Sequence, residues 1–137
     1  MRWARSRRQT VPAIADDFIT VLGEDEVFVF GSNLAGRHVG GAARQAARDF
    51  GAAPGVGEGP TGQCYAFPTM DRHLRRRSMQ DLARSRELFY ACAEHDWSRT
   101  YRMTPVGTGI AGHPAADMIA LFADPPPNVA LPASWAD

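Results

Sequence analysis

The chain reads as an α/β domain, and three features say so. Short apolar runs recur at Val27 to Phe30, Gln63 to Pro68 and Thr100 to Val106. Two glycine loops, Gly31 to Gly41 and Gly107 to Gly112, each stand directly after such a run and directly before a helix-patterned segment. Val27 to Phe30 is apolar without alternation, the pattern of a strand covered on both faces. Strand, glycine loop and helix start, in that order, is how α/β proteins build a seat for a phosphate or a nucleotide.

The elements follow in chain order. Residues 1–10 are basic and aperiodic and read as a flexible arm, with residues 11–137 as one domain. The arm's four arginines can touch nucleic acid or simply be solvated. Ile14, Phe18, Val21 and Leu22 lie near helical spacing, so a short amphipathic helix is expected over Pro12 to Leu22, stopped by Gly23. Gly41 to Phe50 reads as a helix with small residues on its packing side. Residues 51–62 hold five glycines and two prolines and read as a loop, a possible third wall for a site, with Glu58 its only charge. The next strand ends at Pro68, and Asp71 to Arg77 is an arginine-heavy turn. Ser78 to His95 is a long amphipathic helix whose Ser78 and Asp81 are spaced as a capping pair. Pro114 suits a first helical turn over Ala115 to Phe122, and Asn128 to Leu131 is a last strand.

Composition narrows the classes of function. The 137 residues are 45% hydrophobic and 22% charged, ordinary for a globular protein. Fifteen basic and fifteen acidic residues cancel, so no overall field draws the chain to nucleic acid or membrane. Every basic residue is arginine, which removes lysine as a Schiff base or amine nucleophile. Cys64 and Cys92 lack the number and spacing of a disulfide scaffold or zinc site, and the four histidines lack metal-ligand spacing. No metal or cofactor is expected. No signal-peptide pattern and no run of about 18 apolar residues is found, so a cytoplasmic protein without a membrane partner is expected, its thiols reduced and inert.

The two glycine loops carry the chemistry. At the carboxyl ends of parallel strands they would lie on one edge of the sheet and could face each other across a crevice holding a phosphate-bearing ligand. The first is Gly31-Ser32-Asn33-Leu34-Ala35-Gly36-Arg37-His38-Val39-Gly40-Gly41, and the second is Gly107-Thr108-Gly109-Ile110-Ala111-Gly112. Together with Gly62-Gln63-Cys64-Tyr65-Ala66-Phe67-Pro68-Thr69, they resemble the macrodomain family, in particular a phage and bacterial macrodomain-like subgroup with a Gly-Ser-Asn-Leu-x-Gly-Arg-His loop. The resemblance spans roughly residues 26–132. It implies a three-layer α/β/α fold with a mixed central sheet, and binding of ADP-ribose or an ADP-ribosylated substrate. It also leaves open hydrolysis of an ADP-ribosyl linkage, glycosidic or ester, at the distal ribose. Asn33 would then reach the distal ribose, Gly40 and Gly41 would open the helix, and the second loop would wrap the diphosphate. Val39 stands where the subgroup often has glycine, and Cys64 where it has serine. The aspartate that macrodomains keep for the adenine amine has no clear counterpart; Asp16 and Asp17 are nearest.

Each candidate also has a plainer reading. Asn33 can be a turn former, His38 either a general acid or base or a loop side chain, and Arg37 a phosphate grip or a surface residue. Glu58 and Asp71 compete as the carboxylate that activates water. His113 reads as a loop residue before Pro114, and the Arg72 to Arg77 turn as a solvated basic patch or a grip for a phosphate-rich macromolecule. Tyr65 and Phe67 serve the core or stack on a base. Two further classes stay open. One is a nucleotide phosphoribohydrolase, whose Pro-Gly-Gly-x-Gly-Thr-x-x-Glu motif Pro54-Gly55-Val56-Gly57-Glu58 matches only in part. The other is a non-catalytic nucleic-acid or protein interaction module.

Overall fold

Val27, Phe28, Val29 and Phe30 are all buried, and alternation along the strand sends their side chains to opposite faces of a sheet. Val27 and Val29 join one apolar cluster and Phe28 and Phe30 another. A strand that must hide both faces belongs at the centre of its sheet, and here it does. The computed structural model describes residues 14–15 and 18–136. The proposed arm at 1–10 lies outside them.

Among the described residues six strands form the sheet: β1 (Ile14–Ala15), β2 (Glu26–Asn33), β3 (Gly59–Thr61), β4 (Cys64–Met70), β5 (Thr100–Met103) and β6 (Val129–Pro132). Their order is β1-β6-β5-β2-β4-β3. All neighbours run parallel except β3 and β4, so the sheet is mixed. The helices are α1 (Gly41–Asp49), α2 (Met79–His95) and α3 (Ala115–Leu121).

α1 packs through small residues: Ala43 and Ala46 are buried in the cluster of Phe28, Phe30 and Ala66. Two methyl groups let the helix sit close to the ring-bearing face of β2. α2 and α3 bury Leu82, Phe89, Met118 and Leu121 in the other cluster. Phe89 is its hub, with ring centroids 4.9 Å from Tyr65, 6.2 Å from Phe67 and 5.9 Å from Tyr101. Tyr65 and Phe67 therefore serve the core and are not available to stack on a base. The capping pair forms as its spacing implies: the Asp81 N–H donates to Ser78 Oγ at 3.1 Å.

Four expectations are corrected. No helix occupies the described part of Pro12 to Leu22. Ile14–Ala15 is a strand beside β6, and residues 18–22 are irregular. Apolar positions near helical spacing lost here to an open sheet edge, because strand pairing satisfies backbone groups that so short a helix would leave unpaired. Pro68 does not stop β4, which runs to Met70. Its partner on one side, β3, ends its pairing at Ala66, so the missing proline N–H falls where β4 has one strand neighbour. The glycine-rich 51–62 segment contains β3, and the strand expected to reach Val106 ends at Met103.

Truncating the hub and removing the cap should differ clearly in cost. Phe89→Ala should lower unfolding free energy by about 3–5 kcal/mol, and Ser78→Ala by about 1 kcal/mol. Urea denaturation of both variants measures this.

Candidate functional site

Because β2, β4 and β5 are parallel, their carboxyl ends share one edge. A crevice of about 820 Å³ opens there. Gly31, Ser32, Asn33, Arg37, Gly40 and Gly41 line it from the first loop; Gly107, Thr108, Gly109, Ile110 and Ala111 line it from the second. The two loops expected to face each other do so.

The first loop is shaped by its own side chains. Pairing of β2 with β4 skips a residue between Ser32 and Asn33, an irregularity that re-aims the strand end. Asn33, nearly buried, then bridges the loop: its Oδ1 accepts from the Arg37 N–H at 3.0 Å and its Nδ2 donates to the Arg37 carbonyl at 2.9 Å. Nδ2 carries two protons, so one donor is left over. Gly41, at φ +56, opens α1, and Gly40 supplies no side-chain cap. The first N–H groups of α1 therefore have no partner within the helix.

The 51–62 segment was one candidate for a third wall, but none of its residues lines the crevice. It backs the first loop. Ser32 Oγ donates to the Gly57 carbonyl, the Gly55 N–H to the Gly36 carbonyl at 3.0 Å, and His38 Nε2 pairs with the Ala53 carbonyl at 3.0 Å. Gly36 packs so tightly on Gly55 that a Cβ would run into its backbone. Leu34, Gly36 and His38 thus support the loop from behind, and Gly112 likewise lies off the crevice lining. His38 stands edge-on to Phe30, centroids 5.3 Å apart.

Neither candidate carboxylate reaches the lining. Glu58 has a buried Oε2 without a hydrogen-bond partner among the described residues. Asp71 knots its own turn. Its Oδ1 accepts from the N–H groups of His73 at 2.8 Å and Arg75 at 3.0 Å, and its Oδ2 pairs with Arg75 Nε at 3.2 Å. The Arg75 amide, the His73 amide and the Arg75 charge hold its carboxyl below the usual range. The basic turn is not a free patch either: Arg75, Arg76 and Arg77 are all bonded internally, and Arg72 is left exposed without a partner among the described residues.

Electrostatics favour an anion. Arg37 is the sole charged side chain among the described lining residues, and it makes no ion pair there. No Asp, Glu or His lines the crevice among those residues. The arrangement can hold negative charge with backbone N–H groups, the α1 terminus and one guanidinium. Asp16 and Asp17 lie outside the described residues.

Neither the family models, the curated proteins nor the solved structures offer a match to this chain. No helix among the described residues is long and apolar enough to cross a membrane.

Phe18, Thr69, Leu74 and Thr104 also line the crevice, and sequence reasoning missed them. Thr69 directly follows the run Gln63 to Pro68, a signal that was present, whereas Thr104 was hidden inside the run expected to reach Val106. Phe18 was hidden by its helical spacing, and Leu74 by its polar neighbours. Phe18 and Ile110 are about 90% exposed at the crevice, and Val39 and Leu74 add further apolar surface. The cysteines are free; burial pushes the Cys64 thiol up to about 12, which suppresses its thiolate.

His113 sits behind the second loop, nearly buried, with Nε2 lacking a hydrogen-bond partner among the described residues. Burial first, then the Arg76 charge, lowers its pKa below 6.5, outweighing Asp117 and a hydrogen bond with the Arg77 backbone. The folded state therefore binds this proton less readily than the unfolded chain does, so its contribution to stability is intact above about pH 6.5 and is lost as pH falls through the lowered value. The stability advantage of wild type over His113→Gln should shrink between pH 7 and pH 5, as read by urea titrations at each pH.

Proposed function

We propose that the crevice binds ADP-ribose or a closely related ADP-ribosyl ligand. The observation that carries this reading is the convergence of two glycine loops and the uncapped start of α1 on one crevice with no acidic lining among the described residues. A diphosphate carries its charge as a short chain of anionic oxygens, which suits a track of backbone N–H groups better than a single point cation would. Arg37 would meet a phosphate oxygen from the first loop. Asn33, with one Nδ2 proton to spare, would donate to a ribose hydroxyl. Exposed apolar surface at Phe18, Val39, Leu74 and Ile110 suits the faces of a nucleobase and sugars, which an inorganic phosphate lacks.

This reading places the domain with macrodomain-like proteins. α1 on one sheet face and α2 with α3 on the other would be their three-layer α/β/α arrangement. Turnover, if present, would be hydrolysis at the anomeric carbon of the distal ribose. The attacking water would be polarised by the ligand's own phosphate, since Glu58 and Asp71 stand off the crevice.

A thermal-shift series tests the reading. ADP-ribose at about a hundredfold its Kd should add about 2.7 kcal/mol of stability, whereas AMP and ribose 5-phosphate at equal concentration should add much less. Equal shifts for all three, or none for ADP-ribose, would reject a site that spans a diphosphate.

A further inference from the structure

Among the described residues one side chain from elsewhere in the chain, Arg76, hydrogen-bonds the second glycine loop from outside the crevice. Its Nε donates to the Ala111 carbonyl at 2.9 Å and its Nη2 to the Gly112 carbonyl at 3.0 Å. A planar guanidinium presents its donors in a rigid fork that fixes the orientation of two successive carbonyls, whereas an ammonium's rotatable donors do not. The consequence runs through the peptide planes. The chain has no cis peptide bond among the described residues, so each carbonyl lies opposite the N–H of the next residue. Fixing the carbonyls of Ala111 and Gly112 therefore fixes the N–H groups of Gly112 and His113. Those two close the loop, donating to the Gly109 carbonyl at 2.9 Å and the Gly107 carbonyl at 2.9 Å.

Arg76 itself stands on a braced base. Asp71 ties the 71–75 turn, and Met70 bridges Arg76 in antiparallel fashion. The Arg77 N–H donates to the Thr69 carbonyl at 3.0 Å, and its guanidinium reaches the Pro68 carbonyl at 2.7 Å. Thr69 and Met70 line the crevice. The clamp thus joins the end of β4 to the loop after β5.

We propose that Arg76 is the positioning residue of the second loop, holding its backbone in the anion-binding shape before any ligand arrives. It also places a positive charge behind that loop. This inference rests on the reading of the crevice as an ADP-ribosyl site for its ligand, but not for the clamp itself. Loop order that exists beforehand is ordering entropy the ligand does not have to supply.

Two measurements on full-length protein decide it. Arg76→Gln should raise the Kd for ADP-ribose about tenfold, the cost of ordering the loop only on binding, while the variant melts close to wild type. Arg76→Lys should restore affinity only in part, and Arg72→Gln, an exposed residue of the same turn, should bind as wild type. In the absence of ligand, hydrogen exchange at the Gly112 and His113 amides should accelerate in Arg76→Gln. Wild-type affinity in Arg76→Gln, full restoration by lysine, or equal loss in Arg72→Gln would overturn the proposal. So would unchanged exchange at the two amides. If wild type itself fails to bind ADP-ribose, the ligand reading falls, and the exchange result still decides the clamp.

Discussion

The parallel alignment of β2, β4 and β5 is the constraint on which the rest depends. β2 is buried on both faces, with Val27 and Val29 on one and Phe28 and Phe30 on the other. That double burial fixes its central place and leaves its register little freedom, because a slip by one residue would exchange the two sets of side chains. Parallel neighbours then have their carboxyl ends on one edge. Loops leaving those ends have to meet there, whatever their own sequences prefer.

The crevice is built in two shells. Five glycines line it together with apolar side chains such as Phe18 and Ile110, and several polar side chains hold the shape of its loops. Ser32, Asn33 and His38 spend hydrogen bonds on carbonyls and amides of the first loop or of its backing segment, and Arg76 does the same for the second. Residues that look catalytic in the sequence are mostly occupied in holding shape. Asp71 is the clearest case, since its carboxylate is engaged by two amides and a guanidinium of its own turn.

The same division explains the basic turn. Three adjacent arginines, Arg75 to Arg77, read in one dimension as a charged patch. In three dimensions each turns to a different partner: Asp71, the carbonyls of Ala111 and Gly112, and the carbonyl of Pro68 with Ser85 Oγ. Arginine suits such work because its stem lies along the surface while its fork reaches several acceptors. Local charge density is therefore a poor guide to a free cationic surface here.

The sequence by itself determined what depends on local pattern. The unalternating run at 27–30 marked the central strand, Ser78 and Asp81 marked the start of α2, and the two glycine loops marked the edge where the crevice opens. These were legible because burial on two faces, capping and close backbone approach each require particular residue types at fixed short spacing. Tertiary structure alone decided the rest. It made Ile14–Ala15 a strand, because β6 offered an edge to pair with. It moved 51–62 from wall to backing and brought Phe18 and Leu74 to the crevice. It joined Arg76 to carbonyls 35 and 36 residues away. Such contacts leave no periodic trace, because the partner of a guanidinium is a backbone carbonyl, which every residue carries.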